Sequence, residues 1–120
     1  MRRIALSACA LLGVVAVARH ADAHAFLSHA SPSAGSTVPA PKAVDITFTE
    51  AVEPSFSTIV VQDAKGRRVD NGDLHAASDD GLRLEVEVKP LPPGAYTVIW
   101  HATSVDTHKT EGRFEFTVQP

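Results

Sequence analysis

Sulfur is scarce in this sequence of 120 residues, which contains one cysteine and one methionine. Both lie near the start of the chain, as Met1 and Cys9. A chain with a single cysteine cannot be a small domain cross-linked by internal disulfides. The length, with 44% hydrophobic and 21% charged residues, also argues against a multidomain enzyme and a disordered tail. One modest globular domain is what remains.

The N-terminus has the three parts of a secretory signal peptide. Arg2 and Arg3 form a basic start, residues 4–18 are an unbroken apolar run of 15, and a short polar tail contains Ala21 and Ala23 in A-x-A spacing. A membrane-spanning helix needs about 20 apolar residues, so none is predicted. We therefore predict that residues 1–23 are a signal peptide and that residues 24–120 form the exported domain.

Basic residues are also few after this cut. Cleavage after Ala23 removes three of the 11 Lys and Arg residues and one of the 14 Asp and Glu residues, which leaves 97 residues with a formal charge of −5. An acidic domain without a basic cluster is a poor partner for nucleic acid or an anionic membrane surface. We expect a monomer that binds no nucleic acid and does not stay inserted in a membrane.

The pattern of the exported domain predicts an all-β fold. Apolar and polar residues alternate in the stretches 44–48, 82–88, 96–100 and 114–118, and residues 58–62 are a shorter β-branched run. Segments rich in Gly, Pro, Asn and Asp separate them. About seven short strands in a domain of this length indicate a small Greek-key sandwich or barrel that is immunoglobulin-like, with a cupredoxin-like look.

One local motif supports the sandwich. The run from Leu91 to Tyr96, with Pro92, Pro93 and Gly94, is typical of a tyrosine corner, in which a Tyr at the start of a late strand hydrogen-bonds back to the preceding connection. We expect Tyr96 and Trp100, at alternate strand positions, to lie in the core rather than to form a platform for carbohydrate.

The sequence gives little support to nucleophilic catalysis, but it does support a metal site. If cleavage exposes His24, its α-amine and ring Nδ1 can chelate one ion. Asp106 and His108 stand at i and i+2, so on an extended segment both point to the same side. Three nitrogens and one oxygen suit Cu(II) or Ni(II), and the stability order of divalent ions favours Cu(II).

The remaining histidines of the exported domain are not predicted to be metal ligands. His29 is an odd number of residues from His24, so on one strand the two would face opposite sides. His75 is expected in a solvated loop, and His101 could lie in the outer shell of a metal site. Ser104 and Thr107 are expected to shape the loop rather than to touch the ion.

On these motifs the chain resembles the CopC/PcoC family of periplasmic copper-binding proteins. The resemblance spans essentially the whole exported domain and is carried by His24-Ala25-Phe26-Leu27, Ser31-Pro32, Gly35-Ser36, Phe48-Thr49-Glu50, residues 53–57, Leu91 to Gly94 with Tyr96 and Trp100, residues 104–108, Gly112 and residues 114–118. It implies a seven-stranded Greek-key β-barrel in the periplasm that holds one Cu(II). The implied ligands are the amine and ring of His24, Asp106 and His108, an arrangement related to the histidine brace. Glu50 matches a carboxylate that some members place near copper.

The sequence departs from many family members in one respect. Their Met-rich central loop, which holds Cu(I), corresponds here to residues 61–66, and no Met follows Met1. Because soft Cu(I) prefers thioether or thiolate sulfur, the composition predicts a variant that binds only Cu(II).

These features predict a copper carrier or buffer in copper homeostasis or resistance, and the resemblance implies delivery to an inner-membrane importer of the CopD type. We expect no enzymatic activity. Two alternatives stay open at this point. One is a histidine-brace copper mono-oxygenase, although Asp106 would fill the position that such enzymes keep open for oxygen. The other is a metal-free immunoglobulin-like interaction module.

Overall fold

A computed structural model describes residues 27–120, which are built almost entirely of short strands. The predicted signal peptide and His24 lie outside the described residues. In chain order the strands are β1 Leu27–Ser31, β2 Thr37–Val38, β3 Ala43–Phe48, β4 Thr58–Gln62, β5 His75–Ala76, β6 Arg83–Glu87, β7 Gly94–Thr103 and β8 Lys109–Val118. A 3-10 helix at Pro54–Phe56 is the one helical element of this part of the chain. Within residues 27–120, no helix has the length and apolar character needed to cross a membrane.

The strands form two four-stranded sheets, with the orders β1-β3-β6-β5 and β2-β8-β7-β4. The sheets do not close on each other, so of the two predicted architectures the protein adopts the sandwich. The predicted all-β class is confirmed. Residues 27–120 contain eight strands, two of which, β2 and β5, are only two residues long.

The alternating stretches bury one face each, as predicted. In β3, Val44, Ile46 and Phe48 are buried, and their neighbours are more exposed. The same alternation in the other sheet brings Trp100 edge-on to Phe48, with ring centroids 5.6 Å apart. Tyr96 stacks on Phe116 at 5.5 Å. Apolar side chains from both sheets thus form one continuous core between them.

The tyrosine corner is present. The hydroxyl of Tyr96 donates a hydrogen bond to the carbonyl oxygen of Pro92 at 2.5 Å, and burial raises the pKa of the phenol. This bond ties the start of β7 to the connection that precedes it. Tyr96 and Trp100 are 4% and 2% exposed, which confirms their place in the core.

Candidate metal centre

Two connections meet at one end of the sandwich. The first follows β3 and carries Glu50; the second joins β7 to β8 and consists of residues 104–108. Backbone hydrogen bonds hold the two together: Val105 N–H donates to Ala51 O at 3.1 Å, and Glu53 N–H donates to Thr103 O at 2.8 Å. Because β3 and β7 belong to opposite sheets, these bonds bring together side chains that are distant in sequence.

Glu50, Asp106 and His108 form a cluster at this junction. Their potential ligand atoms all lie within 4.8 Å of one another, and no other group of three or more such residues occurs among residues 27–120. The Nδ1 atom of His108 is 3.5 Å from Oδ2 of Asp106. All three side chains are exposed, so an ion can reach them directly from solvent.

The loop that carries Asp106 and His108 is tightly bonded to Ser104, which is fully buried. The Ser104 hydroxyl donates to Oδ1 of Asp106 and accepts from the His108 backbone N–H at 3.1 Å. The Ser104 N–H donates to His108 O, and its carbonyl accepts from Thr107 N–H, both at 2.9 Å. Thr107 lies in the left-handed region, with φ 72°. The expectation that Ser104 and Thr107 shape this loop agrees with these contacts.

The surroundings of Asp106 favour its ionised form. The hydrogen bond from Ser104 lowers the pKa of this carboxyl below its ordinary value, and the nearby imidazole of His108 adds to the effect against the opposing influence of burial. An ionised carboxylate and an imidazole side by side offer hard and borderline donors, the chemistry that borderline divalent transition metals accept.

The other histidines among residues 27–120 do not belong to this cluster. His101, on β7, pairs with Glu111 of β8, Nε2 to Oε2, at 2.8 Å. His75 lies in the short strand β5 rather than in a loop, because its backbone pairs with that of Glu85 on β6. Its exposed ring contacts Asp73 O at 2.8 Å and Glu85 at 3.2 Å. His29 lies on β1 opposite Thr47.

The fold and the cluster define a small β-sandwich with nitrogen- and oxygen-bearing side chains together at one end, a group that could hold a metal ion. Residues 27–119 match the CopC domain, and the chain belongs to the CopC family. The resemblance stated from the sequence is therefore confirmed, and membership supports a copper-related function.

Solved structures and a curated relative agree with this assignment. CopC from Methylosinus trichosporium OB3b superposes with a TM-score of 0.74 and 40% identity, over 79% of this chain and 93% of that one. PcoC from Escherichia coli, described as a methionine-rich copper resistance protein, gives a TM-score of 0.67 and 31% identity over 78% and 97% of the two chains. Protein YobA of Escherichia coli strain K12 is 37% identical over 114 residues, 93% of this chain and 92% of that protein.

Proposed function

We propose that the protein is a periplasmic carrier or buffer that holds one Cu(II) ion through the amine and ring of His24, Asp106 and His108. The observation that carries the proposal is the exposed cluster of Glu50, Asp106 and His108 at the end of the sandwich where β1 begins.

The pairing of β1 supports a place for His24 beside this cluster. Leu27 is opposite Phe48 in the antiparallel pair β1–β3, and Glu50 follows Phe48 by two residues. β1 therefore begins at the end of the sandwich that carries Glu50. Three residues of extended chain span at most about 11 Å, and we infer that His24 reaches the cluster from there.

The donors complement Cu(II) in number and charge. Two nitrogens from His24, one from His108 and one oxygen from Asp106 make a tetragonal set, and the carboxylate offsets part of the charge of the ion. Glu50 lies close enough to approach the same ion as a weaker, additional ligand. As a ligand, Asp106 would fill the position that copper mono-oxygenases keep open for oxygen, which favours a carrier over a mono-oxygenase.

Oxidised copper is the form that this composition suits. No Met or Cys follows Cys9, whereas the PcoC relative is described as methionine-rich. Removal of residues 1–23 would therefore leave no sulfur ligand for Cu(I). The exposure of the cluster supports a role in which copper enters and leaves readily, and we extend the proposal to delivery to an inner-membrane importer of the CopD type.

Removal of one imidazole tests this function. Titration of the processed protein with Cu(II) should show one tight site that is lost in His108→Ala, because a nitrogen ligand is removed. His75→Ala is the matched control, since His75 is also exposed and also pairs with a carboxylate. Anaerobic titration with Cu(I) should give only weak binding. Equal Cu(II) affinity in the two variants, or tight Cu(I) binding, would contradict the proposal.

A further inference from the structure

We propose that Ser104 is a positioning residue that makes Asp106 a ligand through one oxygen only and fixes it against His108. The inference deepens the proposed function and rests on it. Ser104 does not face solvent and does not belong to the cluster of potential ligand atoms. Its hydroxyl instead hydrogen-bonds to the side chain of Asp106 and to the backbone of His108, which both belong to that cluster.

A single atom, Ser104 Oγ, connects the two candidate ligands. A serine hydroxyl has one hydrogen to donate and two lone pairs that accept. Here the hydrogen goes to Oδ1 of Asp106, and a lone pair receives the His108 N–H at 3.1 Å. Because Ser104 is buried and its backbone also bonds His108 O and Thr107 N–H, the hydroxyl has a fixed position.

This arrangement leaves the two oxygens of Asp106 in different roles. Oδ1 is engaged by Ser104, and Oδ2 is the oxygen that faces Nδ1 of His108 at 3.5 Å. The bond from Ser104 occupies one lone pair of Oδ1 and fixes the orientation of the carboxylate, which favours coordination through Oδ2 alone. Bidentate carboxylates suit large, oxygen-rich coordination such as that of Ca²⁺, whereas one oxygen beside nitrogens suits the tetragonal geometry of Cu(II).

A second serine at the same end provides a matched control. The hydroxyl of Ser57, which is 7% exposed, donates to Glu53 O at 2.7 Å and accepts from Thr103 N–H at 3.1 Å. Ser57 is therefore also buried and also bonded on both sides, but its partners are backbone atoms outside the candidate ligands. Its removal should disturb the structure without acting on the metal.

The experiment compares Ser104→Ala with Ser57→Ala by Cu(II) competition titration and electron paramagnetic resonance. Loss of an outer-shell partner typically weakens metal binding about 10- to 100-fold, and we expect Ser104→Ala to fall in that range with altered copper hyperfine splitting. Ser57→Ala should keep the native spectrum and lose less than about 10-fold in affinity, below the range for an outer-shell partner. A native spectrum and native affinity in Ser104→Ala would overturn the inference.

Infrared spectroscopy of the wild-type protein gives a second measurement, which does not depend on the folding of a variant. With ¹³C-labelled aspartate, Cu(II) loading should widen the separation of the two carboxylate stretches, the signature of a one-oxygen ligand. A narrowed separation, typical of a chelating carboxylate, would overturn the inference even if Cu(II) binding needs His108. If Cu(II) binding instead proves insensitive to His108→Ala, the proposed function fails and Ser104 has no ligand to position.

Discussion

Gly112 leaves room for the largest side chain of the core. It is opposite Trp100 in the β7–β8 ladder, and a Cβ atom built on Gly112 would lie 2.6 Å from Cζ2 of the indole. Trp100 is 2% exposed and packs edge-on against Phe48, so it has little freedom to move away. The absence of a side chain at Gly112 is thus a packing requirement of this strand pair.

Gly112→Ala should therefore destabilise the protein. Overpacking of a filled core typically costs about 1–3 kcal/mol, and we expect a loss of unfolding free energy in that range in urea denaturation. The same substitution is also made in a Trp100→Leu protein, where the smaller side chain removes the clash. If Gly112→Ala lowers the unfolding free energy equally in the Trp100→Leu protein and in the wild type, the indole is not responsible.

At the residue scale, the sequence could reveal partners only when they are close along the chain. Asp106 and His108 share a strand-like spacing, and the tyrosine corner is a contiguous motif, so both could be recognised directly. Glu50 was singled out through the family resemblance alone, because it reaches the cluster through pairing between connections of opposite sheets. The role of Ser104 depends on the direction of its hydroxyl, which spacing does not determine.

At the scale of elements, the buried carboxylate of Asp70 anchors the connection between β4 and β5. Its side chain is fully buried and accepts hydrogen bonds from Val61 N–H at 2.8 Å, Gly72 N–H at 3.0 Å and the Arg68 guanidinium. Burial alone would raise the pKa of this carboxyl, but the bonds from Arg68 and from the two backbone N–H groups together hold it below its ordinary value of 3.8. Asp70 is therefore charged in the folded protein.

Asp70→Asn should lower the free energy of unfolding by about 1.5–3 kcal/mol at pH 7, the range for hydrogen bonds to a charged group. Because the folded pKa lies below 3.8, the stabilisation by Asp70 is present above that pH and is lost as the pH falls through the folded value. Denaturation of both proteins from pH 7 to pH 2 should show their difference shrinking at the acid end. The exposed Asp79→Asn is the control, and a difference independent of pH would contradict the charged state of Asp70.

The strands with a clear period of two and the β-branched strand β4 were predictable, whereas β1, β2 and β5 were not, for a physical reason. Four strands bury one face in the core, and apolar and polar residues therefore alternate along their sequences: β3, β6, β7 and β8. β1 has a register irregularity between Leu27 and His29 and buries only Ala30, so no alternation develops. The two-residue strands β2 and β5 exist only through pairing with β8 and β6.

At the scale of the whole molecule, the two sheets bring the cluster of Glu50, Asp106 and His108 to one end. Within the described part, the interior between the sheets is apolar, and the side chains that can hold an ion are exposed at the edge. Stability and the proposed metal binding therefore reside in different residues: the core is apolar, and the proposed ligands are His24 and side chains of two connections. The sulfur-poor composition then favours Cu(II) as the ion.

The free amine of His24 provides the most direct test of the central claim. We would compare the Cu(II) affinity of a chain that begins at His24 with that of the same chain acetylated at the His24 amine. Acetylation keeps every side chain but converts the amine into an amide, so the chelate with the ring is lost. Loss of a direct ligand should weaken binding by at least about 100-fold, the upper end of the effect of an outer-shell partner. Equal affinity of the two chains would contradict the account.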